Sequence, residues 1–197
     1  SSYPHASAYR IVNSKLNLFG SSGFSGSSGA YALLVSVDNE INGGNFKGEL
    51  FSYGGDASRT RINGATIESS GDAIDLTGDN IEILNCDILY SQGVTSGQYK
   101  AISIAGNSSI IQNCHIEGDK EANYGAAVSI GANAGASTSV RNEIQDVTIN
   151  QGEMYAYGYT DIKGCSVFGE GNHGITHSGT GSISNCAIDV PGNPNYG

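Results

Sequence analysis

Ile83-Leu84-Asn85-Cys86-Asp87-Ile88 and, 28 residues later, Ile111-Gln112-Asn113-Cys114-His115-Ile116 are two copies of one six-residue pattern. It reads Ile, any residue, a turn former, a small residue, any residue, then an aliphatic or Phe. Further copies begin at Ile11, Ile41, Ile62, Ile144, Ile162 and Ile183. The third position of every copy is Asn, Gly or Asp, the residues that best tolerate the left-handed region of backbone space. One left-handed residue bends a strand without a loop, so the pattern predicts strand, one-residue corner, strand.

From Ile11 onward the first Ile advances by 30, 21, 21, 28, 33, 18 and 21 residues. The floor near 20 fits one turn of a three-stranded solenoid, and the excess is loop. A further short strand precedes most copies, as in Ala73-Ile-Asp-Leu76, Ala101-Ile-Ser-Ile104, Ala127-Val-Ser-Ile130 and Gly174-Ile-Thr-His177. These alternate, second and fourth residues inward and third outward. Ile74 to Cys86 and Ile102 to Cys114 are both 12 residues apart, which puts the two stretches in one register. The expected fold is all-β: one domain over 1–197, a right-handed, single-stranded parallel β-helix of about eight coils. Asn13, Asn85, Asn113 and Asn185 are expected to share one corner, their amides bonding coil to coil.

Composition agrees. Only 38% of residues are hydrophobic and none is Trp, which suits a narrow core column better than a globule. Gly is abundant (29) and Pro scarce (3). A net charge of −10 argues against nucleic acid or an anionic membrane as partner, and mildly against a strongly anionic polysaccharide. No apolar run approaches the ~18 residues of a membrane span, so membrane insertion is not expected.

The Asn-Cys corners resemble those of the pectin lyase-like superfamily: pectate lyases, polygalacturonases and bacteriophage tailspike glycosidases. The resemblance spans nearly the whole chain. It implies the β-helix and a carbohydrate partner, and among its members a phage tailspike or tail-fibre module is the most similar. Cys86, Cys114, Cys165 and Cys186 follow a corner and face inward in a tight slot that Ser14, Gly44, Ala65 and Val147 fill elsewhere. They read as reduced, buried small hydrophobes, with Cys86 and Cys114 as neighbours. Unpaired thiols fit assembly in a reducing cytoplasm before service on a virion tail or outside the cell. The ends, Ser1-Ser2 and Asp189 to Gly197, show no obvious cap, as expected of a piece of a longer, homotrimeric protein.

Long loops are expected at 17–30, 89–100, 117–126 and 150–153, with an insertion at 131–139. They carry Tyr90, Tyr99, Lys100 and Tyr124 as candidate sugar-binding residues, joined by Tyr155 on the strand after 150–153 and by His173 at a later loop–strand junction, since Tyr stacks on sugar rings and bonds hydroxyls. Glycoside hydrolysis needs two carboxylates, and Asp72, Asp75, Glu121 and Glu153 are the candidate catalytic acids. Gly171-Asn-His173-Gly174 and Gly71-Asp72-Ala-Ile-Asp75 look like polygalacturonase segments. They stand about 100 residues apart, however, and the two Asp are not adjacent, so that site is rejected. Four scattered His and no clear acid cluster beside Arg59 and Arg61 imply no metal site, and no cofactor is implied. The expected function is binding, and on one reading cleavage, of a bacterial surface polysaccharide such as capsule or O-antigen. A non-catalytic stalk or adhesin segment and a secreted pectate lyase-like enzyme stay open beside it.

Overall fold

A computed structural model describes residues 9–19, 22–25, 31–52, 55–90, 99–118, 126–131, 140–169 and 174–190. Its strands come in threes. The first turn is β1 (Tyr9–Ile11), β2 (Lys15–Asn17) and β3 (Gly23–Ser25). Then come β4 (Tyr31–Val35), β5 (Glu40–Asn42) and β6 (Asn45–Lys47), followed by β7 (Glu49–Ser52), β8 (Arg61–Asn63) and β9 (Thr66–Ser69). The central turns are β10 (Ile74–Thr77), β11 (Glu82–Leu84), β12 (Asp87–Tyr90) and β13 (Ile102–Ala105), β14 (Ile110–Gln112), β15 (His115–Gly118). The last are β16 (Ala126–Ile130), β17 (Asn142–Gln145), β18 (Thr148–Asn150); β19 (Glu153–Lys163), β20 (Ser166–Phe168); and β21 (Ile175–Thr180), β22 (Ile183–Ser184), β23 (Ala187–Asp189).

Every pairing is parallel and joins a strand to its counterpart one turn on, giving three sheets that we call A, B and C. β19 serves A and then B, bending at Gly158 (φ +68°). The chain is an all-β parallel β-helix.

The core is a set of like-on-like columns. In sheet B, Ile41, Ile62, Ile83, Ile111, Ile144 and Ile162 stack in register and are fully buried. Phe46, Ile67, Ile88, Ile116, Ile149 and Val167 do the same in sheet C. Each such side chain contributes about 1.5–3 kcal/mol of burial. A thin core therefore suffices, because each turn is covered on both sides by its neighbours.

The B–C corner is as the repeat predicts. Gly43, Gly64, Asn85, Asn113, Asp146, Gly164 and Asn185 all take positive φ, from 52° to 71°. Asn113 Nδ2 donates to Asn85 Oδ1 (3.2 Å), and Asn85 Nδ2 donates to Asn63 Oδ1 (2.7 Å). The amide ladder lies on the outside, and the residue that follows each corner points in. Cys86, Cys114 and Cys165 are buried, Cys186 is partly so, and all four are free. Each thiol donates to the carbonyl two residues back, as Cys86 Sγ does to Leu84 O (3.2 Å).

Asn85→Ala is expected to cost about 1–2 kcal/mol, because Ala pays the left-handed penalty and loses the ladder. Asn85→Gly should recover most of it. Urea midpoints of the two variants check this, and equal losses would show that conformation is not the cause.

The first copy of the repeat departs from the reading. Ile11 lies in sheet A, paired beside Val35, and Leu16 lies in sheet B under Ile41. Asn13 (φ 46°) therefore turns the A–B corner and is not part of the Asn ladder, and Ser14 does not fill the thiol slot. Asn13 belongs to a second left-handed column with Asp38, Arg59, Asn80 and Ser108 (φ 56° to 59°). The stretch 17–30, read as loop, holds β3, whose Phe24 stacks on Phe46 at 5.9 Å between centroids.

Candidate functional site

Sheet A carries the candidate residues, for a simple reason. Strands alternate, so whatever follows an inward Ile or Leu faces out, and parallel stacking puts these residues in one row. Register gives that row as Phe51, Asp75, Ser103, Ser129, Tyr155 and Thr176. At its upstream edge Glu49, from the start of β7, meets Asp72 and Asp75 of the next turn. One carboxylate oxygen from each lies within 4.8 Å of the others.

The surroundings are mixed. Lys100 N–H donates to Asp72 Oδ1 (2.5 Å), and the Ser103 hydroxyl donates to Asp75. The Lys100 ammonium is near enough to both Asp to favour their charged forms. Tyr31 stacks on Phe51 with ring centroids 4.8 Å apart, and Tyr31 pairs beside Glu49. Tyr99 lies over Gly71, where a β-carbon would sit 3.4 Å from its ring. Apart from the buried Ser103 these side chains are half-buried, so the trio lies on a partly open stretch of sheet A with aromatic rings at its edge.

Burial pushes the Glu49 carboxyl up to about 8, with the charges of Asp72 and Asp75 adding to it. Burial also raises Asp72 and Asp75, against the Lys100 N–H and the Ser103 hydroxyl respectively. At neutral pH Glu49 thus keeps its proton beside two carboxyls that ionise more readily. This is how paired acids are set to different roles. The same trio offers three hard oxygen donors, which a divalent cation could share. The sequence pattern implies no metal site, because it brings out Asp72 and Asp75 but not Glu49.

In the unfolded chain Glu49 ionises near its ordinary 4.5, and in the fold near 8. The fold holds the proton more tightly, so this group's destabilisation is absent below 4.5, grows as pH rises to about 8 and is constant above. The melting temperature is expected to fall across that window, and Glu49→Gln should flatten the fall. A wild-type profile flat from pH 5 to 8 would contradict the burial of this carboxyl.

Asp72, Asp75, Tyr99 and Lys100, read from sequence, thus come together, but other expectations need correction or lie elsewhere. Tyr90 is no sugar platform: it is the last residue of β12, 1% exposed, with its hydroxyl donating to Gln151 O at 3.4 Å. Glu153 is 5% exposed and accepts a bond from the Tyr155 hydroxyl (2.6 Å). Tyr155 stands three turns from Asp75 in the row, about 14 Å at about 4.8 Å per turn. Glu153 and Asp75 are therefore too far apart to flank one linkage, which needs at most ~9.5 Å. Glu121, Tyr124 and His173 lie outside the described residues. Arg59 and Arg61 pair with Asp38 and Glu82 away from the trio.

Glu49 was missed because β7 is offset. Ile74 and Ile102 precede Ile83 and Ile111 by nine residues, whereas Leu50 precedes Ile62 by twelve. The extra residues hide the strand from a fixed-register search. The chain matches no family model, no curated protein and no solved structure.

Proposed function

We propose that this chain binds a bacterial surface polysaccharide across sheet A and hydrolyses it at the Glu49, Asp72 and Asp75 carboxyls, in the manner of a phage tailspike glycosidase of the pectin lyase-like superfamily. The observation that carries the reading is the close approach of three carboxyls from adjacent turns, one of them held protonated, beside the Tyr31–Phe51 stack. Glu49 is the general acid that protonates the leaving oxygen. Asp75, fixed by Ser103, is the carboxylate that attacks or stabilises the sugar cation. Oxygens within 4.8 Å favour the retaining spacing of about 5–5.5 Å over the wider inverting one. Tyr31, Phe51 and Tyr99 offer ring faces to the sugars on either side.

The test is release of new reducing ends from a panel of capsules and O-antigens by the purified chain. Cleavage abolished by Glu49→Gln supports the reading. No cleavage and no binding across the panel would discard it.

A second reading has one observation in its favour, since the same trio could hold a divalent cation for a lyase. Calcium-dependent formation of an unsaturated, ultraviolet-absorbing product would select it over hydrolysis.

A further inference from the structure

We propose that Tyr155, Tyr157 and Tyr159 form a second contact for the polysaccharide, three turns along sheet A from the carboxyls, which grips the glycan away from the bond to be cleaved. It is a remote subsite of the glycan-binding face proposed above and rests on that reading.

All three lie on β19, and alternation sends them outward together. Met154, Ala156, Thr160 and Ile162 of the same strand are buried, whereas Tyr155, Tyr157 and Tyr159 are half-buried. Tyr155 and Tyr157 stand about 6.6 Å apart at about 3.3 Å per residue. Tyr159 continues the series just past the bend at Gly158. Among the described residues no other strand carries three aromatic side chains. The core does not account for these rings, because the inward residues of β19 already fill it. Outward rows elsewhere are polar, as Glu40, Arg61 and Glu82 are on sheet B.

The neighbours that register gives the rings are all small. Tyr155 stands between Ser129 and Thr176, Tyr157 beside Gly131 and Ser178, and Tyr159 beside Thr180. The Tyr155 hydroxyl donates to Glu153 (2.6 Å), whose carboxyl is itself buried. That ring is thus held in place before a ligand arrives, which lowers the entropy lost on binding. Ring faces stack on sugars and the hydroxyls bond them.

Position ties the rings to the carboxyls. Asp75, Ser103, Ser129 and Tyr155 occupy one outward row. A glycan held at Asp75 and lying along the axis therefore meets Tyr155 about 14 Å further on. The serines between are too short to stand above the sheet. Binding so far from the reacting atoms can be used to hold the scissile bond in place, so substrates too short to reach the rings lose rate as well as affinity.

The test uses Tyr157→Ser and Tyr159→Thr, singly and together, which give these positions the side chains found in the same rows one turn on. Affinity electrophoresis against the panel of capsules and O-antigens reads binding, in the Glu49→Gln chain so that the polysaccharide stays whole. Each single variant should lose about tenfold in affinity and the pair more, while Tyr157→Phe keeps most of it. With Glu49 restored, the pair should be slowed on whole polysaccharide. On acid-cut fragments too short to span about 14 Å, it should match the wild type. Should the pair lose its circular-dichroism spectrum, Tyr157→Leu, which keeps bulk without a ring face, replaces it. Binding that depends on the tyrosines in a chain that cleaves nothing would support this contact and discard hydrolysis. Undiminished binding and cleavage in the pair would overturn this contact and leave hydrolysis standing. A wild-type chain that binds no member of the panel would overturn both.

Discussion

Replacing Glu49 by Gln is expected to lower glycan cleavage by about 10²- to 10⁴-fold, the usual contribution of a positioned acid. The amide keeps the size and hydrogen-bonding reach of the carboxyl but has no proton to give. Folding should survive, because the site already favours an uncharged group: Glu49 is held neutral up to about pH 8 by burial and by Asp72 and Asp75. Glu49→Gln should thus raise the melting temperature slightly above pH 8 while removing activity, a combination that damage to the fold cannot produce. In the wild type the rate should fall as pH rises through about 8, when the acid loses its proton. Glu68→Gln, on the outer face of sheet C and among the described residues paired with Lys47 alone, is the control and should leave the rate unchanged. Full activity in Glu49→Gln would move the chemistry away from these three carboxyls.

The legible part of this protein was its periodicity. The Asn-Cys corner combines two constraints in adjacent residues, a left-handed backbone and a small inward side chain. Asn85-Cys86 and Asn113-Cys114 therefore announce the B–C corner directly. The A–B corner makes the same backbone demand, yet it is met by Arg59 and Ser108 as well as by Asp38 and Asn80. Neither Arg nor Ser favours the left-handed region, so the second column carries no sequence signal of its own, and Asn13 looks like a member of the B–C corner.

The site was half legible for a similar reason. Asp72, Asp75 and Lys100 follow from the alternation of β10 and the 28-residue step to β13. Glu49 depends on the register of β7, which the extra residues before β8 conceal. Tyr90 misleads because a residue at the end of a strand, just before a long insertion, reads as loop. In a solenoid the last strand residue still alternates inward, and Tyr90 follows Ile88 into the core.

Ile83→Ala is expected to have the largest effect on stability, about 3–5 kcal/mol, at the upper end for an aliphatic truncation. Ile83 is fully buried and pairs between Ile62 below and Ile111 above. In a compact core, side chains can shift into a void from several directions. Here the backbone of each turn is fixed by ladders to both neighbours, so the walls of the cavity cannot collapse along the axis. The loss should also be one of coupling. Stability in a solenoid is close to a sum of turns and nearest-neighbour interfaces, and Ile83 belongs to two interfaces at once. Weakening both in the middle of the column should divide the cooperative unit, so that urea unfolding of Ile83→Ala broadens or splits into two steps. Ile188→Ala, at 52% exposed and touching one neighbouring turn, should cost well under 1 kcal/mol in the monomer and leave a single transition. Equal losses at the two positions would mean that burial between turns is not what holds the column together.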